Sequence, residues 1–96
     1  MAIEEVLSSK GRVKILRILT EIGELNISEI ARRAGLNYAT TNRHLGVLEE
    51  HGLVRHKRFG RIRIFRFNEG NPKAELIGRL MELWEQTDKP KRALSE

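Results

Sequence analysis

The chain has 96 residues, 40% hydrophobic and 32% charged, with 18 Lys/Arg against 13 Asp/Glu and no cysteine. That length supports one hydrophobic core, and the absence of cysteine removes disulfides, thiolate metal ligands and cysteine nucleophiles together. No apolar run approaches the roughly 20 residues that span a bilayer, and the acidic start, MAIEE, does not read as a secretory leader, so a cytoplasmic protein with no membrane partner is expected.

The first predicted helix covers Val13 to Ile22, where Ile15, Leu16, Leu19 and Ile22 recur at helical spacing and Ser8 or Ser9 can act as N-cap. Val13 and Ile18 fall off that stripe. A short strand is plausible at Leu25 to Ile27. A second helix is expected from Ser28, whose hydroxyl can accept an orphan amide while Glu29 complements the helix dipole. It would bury Ile30, Ala31 and Ala34 and stop at Gly35, a left-handed C-cap. Asn37 then caps a third helix, Tyr38 to Glu50, which ends at Gly52. Two short helices joined by Gly35-Leu36-Asn37 have the layout of a helix-turn-helix.

At 100° per residue the third helix places Thr41, His44, Leu45 and Leu48 inward and Ala39, Asn42, Arg43, Gly46 and Glu50 outward. The outward set is small and polar, as entry into a major groove about 12 Å wide requires. Arg43 can bind guanine in bidentate fashion and Asn42 adenine, while Tyr38, Thr40 and Thr41 offer hydroxyls to phosphates. The bland alternative is a solvated helix face. The next segment argues against it.

From His51 to Asn68 there are six Lys/Arg (Arg55, Lys57, Arg58, Arg61, Arg63 and Arg66) and no Asp or Glu, which leaves twelve bases against thirteen acids elsewhere. Charge of one sign on one element builds a potential that attracts a polyanion. Two strand-forming runs, Leu53 to Phe59 and Arg61 to Phe67, flank Gly60, which can supply the positive φ of a tight hairpin turn. Phe65 and Phe67 near the base should pack on the helices. Arg58, Arg61 and Arg63 near the tip would reach phosphates or the minor groove, so the hairpin reads as a wing.

A last helix follows, with Asn71 as cap and Pro72 in first position, running from Lys73 to Gln86. Leu76, Ile77, Leu80, Met81, Leu83 and Trp84 form a stripe wider than one small core needs. With Ile3, Val6, Leu7, Val13 and Ile18 at the other end of the chain, this surplus suits a two-fold interface. The expected dimer contacts are Val6, Leu7, Leu76, Ile77, Leu80, Met81 and Trp84. The expected organisation is one domain over 1–86 and a flexible tail over 87–96.

The run from Leu7 to Phe67, LSSKGRVKILRILTEIGELNISEIARRAGLNYATTNRHLGVLEEHGLVRHKRFGRIRIFRF, resembles the winged helix-turn-helix transcription regulators of the arsenic-repressor (ArsR) type. Its most specific part is ISEIARRAGLNYATTNRHLGVLEEHGLV with the basic hairpin after it. The resemblance implies that Tyr38 to Gly46 lie in the recognition helix, that Arg58 to Arg63 form the wing, and that the terminal helices build a homodimer. Metal-sensing members carry a cysteine motif in the helix before the turn, or Asp/His ligands in the last helix. Here the first place reads LNISEI and Lys73 to Gln86 has no histidine, so sensing of soft metals is disfavoured.

His44, His51 and His56 lack the i, i+3 or i, i+4 spacing of helical metal ligands, and no serine has an evident His/Asp partner set. No metal, cofactor or catalytic residue is expected. The sequence thus predicts a mainly α protein with a small β-hairpin, a winged helix-turn-helix whose terminal helices form a dimer interface. Its expected partner is double-stranded DNA, contacted by Tyr38, Ala39, Thr40, Asn42, Arg43 and Gly46 and by Arg58, Gly60, Arg61 and Arg63. Regulation of transcription, as a repressor, is the function that follows. The rival is a winged-helix protein-interaction module of a larger assembly, which would display an apolar patch on the third helix.

Overall fold

The computed structural model describes residues 2–88. Their elements are α1 (Ile3–Leu7), α2 (Lys10–Ile22), β1 (Leu25–Asn26), α3 (Ile27–Ala34), α4 (Tyr38–Glu50), β2 (Val54–Phe59), β3 (Ile62–Phe67) and α5 (Pro72–Asp88). The starts of α2, α4 and α5 follow from short polar side chains. Ser9 Oγ accepts from the Arg12 amide at 3.2 Å, Asn37 Oδ1 from the Thr40 amide at 2.7 Å, and Asn71 Oδ1 from the Lys73 amide at 2.8 Å. Each satisfies one of the orphan N–H groups that a helix leaves at its start.

The start of α3 differs from expectation. Its cap is Asn26, whose Oδ1 accepts from the Glu29 amide at 2.9 Å, and Ser28 lies exposed inside the helix. The reason is the sheet: Leu25 and Asn26 pair with Phe65 and Ile64, so the chain leaves the ladder and enters the helix at Asn26. The strand therefore stops one residue short of Ile27, which is buried in α3.

Strand β3 lies centrally in the order β1-β3-β2, antiparallel to both neighbours, and Phe59 faces Ile62 across the turn. Gly60 has φ 63° at the first of the two turn residues, as a two-residue hairpin of this hand needs. Gly35 ends α3 at φ 70°, ψ 32°, the left-handed cap geometry.

One core joins all the helices to the sheet. Ile15, Leu16 and Leu19 of α2, Ile30 of α3, Leu45 and Leu48 of α4, Val54 and Phe65 of the hairpin are almost wholly buried. Truncating a side chain such as Phe65 would cost about 3 to 5 kcal/mol. Thr41 is buried too, its hydroxyl donating to the Asn37 carbonyl at 2.9 Å.

The core also takes residues that the sequence assigns elsewhere. Val6, Ile18 and Ile77 are buried within a single chain at 3%, 7% and 9% exposure, and Met81 is half-buried against the same cluster. Helix α1 explains this: it folds back on α2, with Arg12 Nη2 donating to the Glu5 carbonyl at 2.9 Å, and so buries Val6. Val6 and Ile77 thus have little surface left for a partner, and Ile22, expected inside, is half exposed. Helix α5 continues through Thr87 and Asp88, which the sequence places in the tail; the remainder of that tail, 89–96, lies outside the described residues. No described helix is long and apolar enough to cross a membrane.

Candidate nucleic-acid interface

Helix α4 presents the face that its periodicity predicts. Tyr38, Ala39, Asn42, Arg43 and Gly46 are exposed and Thr40 is half-buried, while Thr41, Leu45 and Leu48 anchor the opposite side. Nothing lies within 4 Å of a Cβ built on Gly46, so this face is open at its middle.

Two contacts fix α4 relative to its neighbours. His56 on β2 donates from Nδ1 to Glu49 Oε2 at 2.6 Å, and its ring sits 4.9 Å from that of Phe65, which ties the hairpin to α4. On the other side Arg12 Nη1 donates to His44 Nδ1 at 3.3 Å. Gly11 permits this approach, since a Cβ there would stand 2.7 Å from His44 Nε2. Burial holds the His44 imidazole below its ordinary pKa, and the nearby charges of Arg12 and Arg43 act in the same direction. A neutral ring with Nδ1 as acceptor fits that bond.

The six cations of the hairpin divide into two groups. At the base, Arg66 donates from Nη1 to Glu24 Oε2 at 2.6 Å and from Nη2 to Glu69 Oε2 at 2.7 Å, and Arg55 lies 3.7 Å from Glu69. The hydrogen bond from Arg66 holds Glu69 below the ordinary carboxylate range. Toward the tip, Lys57, Arg58, Arg61 and Arg63 have no carboxylate within 4.0 Å among the described residues. Sequence counting therefore overstates the charge available to a polyanion, because Glu69, directly after the stretch, and Glu24, distant in sequence, both fold onto its base.

Arg63 is not a loose cation. Its Nη2 donates to Asn42 Oδ1 on α4 at 2.7 Å, and its guanidinium lies over the Phe65 ring, 5.4 Å from the centroid. A groove of about 240 Å³ between the wing and the helix-turn-helix is lined by Asn26, Ile27, Ser28, Tyr38, Arg61, Ile62 and Arg63. Ser28, whose capping role Asn26 takes, lines this groove with a hydroxyl that has no hydrogen-bond partner among the described residues, a placement its sequence position did not disclose. Phe59 and Ile62 are exposed side by side at the wing tip.

A second surface is apolar. On α5, Leu76, Leu80, Leu83 and Trp84 remain exposed at spacings of four, three and one, and on α1 Ile3 and Leu7 do likewise. A cleft of about 380 Å³ lined by Ile3, Val6, Leu53, Leu76 and Ile77, with His51 and Lys73 also in its lining, joins the two stripes. Among the described residues no group of three His, Asp or Glu is placed to hold a metal ion.

Comparison with known proteins agrees with this geometry. The family model described as bacterial regulatory protein, arsR family, matches residues 9–56, half of the chain. The transcriptional repressor BigR from Xylella fastidiosa is 28% identical, with a TM-score of 0.74 over 90% of this chain and 83% of that one. The homodimeric winged helix-turn-helix DNA-binding domain Mb0332 from Mycobacterium bovis is 26% identical, with a TM-score of 0.69 over 98% of this chain and 81% of that one. HlyU from Vibrio cholerae N16961 shares the fold at 19% identity, with a TM-score of 0.74 over 92% of this chain and 89% of that one. A search of curated protein sequences gives no significant match.

Proposed function

The chain belongs to the arsR family of bacterial regulatory proteins, and we propose that it acts as a homodimeric repressor with α4 in the major groove and the β2–β3 wing on the backbone or in the adjacent minor groove. It is a DNA-binding transcription regulator with a winged helix-turn-helix fold. The proposal adds the residues. Arg43, Asn42, Ala39 and Gly46 face the bases; Tyr38, Thr40, Arg58, Arg61 and Arg63 face the backbone, with Gly60 shaping the wing; Ser28 joins them. The second copy docks on Leu7, Leu76, Leu80, Met81 and Trp84, with Ile3 and Leu83 added by their exposure and Val6 and Ile77 supporting from beneath. We assign the protein no chemistry of its own, no cofactor, no metal and a cytoplasmic place of work, with one domain that extends to the end of α5.

The observation that carries the proposal is the segregation of hairpin cations, paired at the base and unpaired toward the tip, beside a polar α4 face. A protein-interaction module would gain nothing from that division, and the outward α4 face lacks the apolar patch that such a module would display. Repression is favoured over activation by the resemblance to BigR, a transcriptional repressor, and by the simplicity of occluding a promoter.

Titration of duplex DNA at several salt concentrations tests the reading. Arg58→Ala/Arg61→Ala removes four cations per dimer, and the slope of log affinity against log salt should become shallower by up to ~4 units. An unchanged slope would take the wing off the DNA.

A further inference from the structure

Asn42 stands at the centre of the α4 face, where free asparagine would pair with adenine, accepting from N6 and donating to N7. Here its oxygen is already engaged: Arg63 Nη2 donates to Asn42 Oδ1 at 2.7 Å. The orientation of the amide follows from chemistry. Arginine has donors and no acceptor, so the oxygen must face it and the Nδ2 amino group must point the other way. Arg63 is itself held, its guanidinium over the buried Phe65 ring at 5.4 Å. The bond therefore joins a fixed strand to a fixed helix. Oδ1 keeps a second lone pair, but a base donor brought to it would also face the guanidinium N–H groups.

We propose that Arg63 is a positioning residue that makes Asn42 a donor only, so that the base pair beneath Asn42 is read by its acceptors, as guanine or thymine, and not as adenine. This rests on the groove placement proposed for α4 and replaces the adenine pairing that Asn42 alone implies. Guanine offers O6 and N7 and thymine O4 to an amino group, whereas adenine offers N7 beside a competing amino donor. Arg63 keeps further N–H groups for a phosphate, so one side chain both sets the reading of Asn42 and anchors the wing.

Duplexes selected from a random pool by wild type, Asn42→Ala, Arg63→Ala and Arg63→Lys, then sequenced and titrated, test the proposal. Wild type should favour guanine or thymine by about tenfold at one position per half-site, and Asn42→Ala should lose that preference there alone. Arg63→Ala frees the amide and should admit adenine at the same position. Arg63→Lys, which still donates to Oδ1, should restore the wild-type preference. A purely electrostatic or structural role for Arg63 would change affinity at every position alike. Adenine enriched by wild type at the Asn42-dependent position would overturn the proposal, as would an unchanged preference in Arg63→Ala or in Asn42→Ala. Failure of wild type to enrich any sequence would instead sink the DNA-reading assignment on which the proposal rests.

Discussion

The two exposed surfaces of this molecule differ in what they leave unsatisfied. The α4 and wing surface leaves charge: Arg43, Arg58 and Arg61 are exposed without a carboxylate partner among the described residues. The α1 and α5 surface leaves apolar area, with Leu76 70% and Trp84 66% exposed. Water solvates the first cheaply and the second at a cost of roughly 25 cal/mol per Å². The two surfaces therefore suit different kinds of partner, and the function proposed above gives the first a polyanion and the second another copy. The difference also predicts different failures, since damage to the apolar surface should abolish assembly and damage to the charged surface should leave assembly intact.

The largest effect is expected from Leu80→Glu/Trp84→Glu. Both side chains are exposed in one chain, so the variant should fold, sediment as a monomer and lose the gain of about 10² or more in DNA affinity that linking two binding modules brings. A variant that stays dimeric would move the interface elsewhere. Next comes Arg43→Ala, expected to remain a dimer and to lose about 1 to 3 kcal/mol per half-site on the preferred sequence, with much less loss on random DNA. Equal losses on both DNAs in parallel titrations would reduce Arg43 to a phosphate contact. Arg43→Lys should recover random binding better than discrimination, because the planar fork is gone.

A smaller effect sharpens the same contrast inside the hairpin. Arg66→Ala removes a cation already paired with Glu24 and Glu69, so the salt slope should barely change, whereas Arg58→Ala should flatten it. Equal flattening by the two would show that charge count, not pairing, governs the wing.

The smallest effect concerns the bridge between the surfaces, where Arg12 holds the Glu5 carbonyl of α1 and His44 of α4. The folded-state pKa of His44 is lowered, so between the folded value and the unfolded value of about 6.5 the unfolded chain binds more protons. The His44 contribution is therefore complete above that window and is lost as pH falls through it. Thermal melting of His44→Gln should show a shallower decline than wild type from pH 6.5 downward. Parallel declines would mean that His44 does not titrate in this way.

Much of the fold was legible because it is locally encoded. Ser9, Asn37, Gly35 and Gly60 act through neighbours a few residues away, and the inward and outward faces of α4 follow from a single period. What was not legible depends on distant partners. Five residues are too few for α1 to carry a period, and Arg12 helps to seat it on α2, so the sequence alone does not show that Val6 is buried within its own chain. Asn26 and Ser28 are equally good caps by composition, and only the pairing with β3 decides between them. At the candidate interface, the exposed α4 residues and the tip cations were read from pattern alone. The Arg66 to Glu24 pair, 42 residues apart, and the Arg63 to Asn42 bond, 21 apart, could not be, yet they decide which cations are free and how Asn42 is turned.

Hydroxyl-radical footprinting of the wild-type protein on a duplex it has selected tests the central claim most directly. A dimer joined through α1 and α5, with one α4 in each of two successive major grooves, predicts two symmetry-related protected tracts about 34 Å apart on one face of the DNA. A single asymmetric tract, or protection spread evenly without a two-fold, would contradict it.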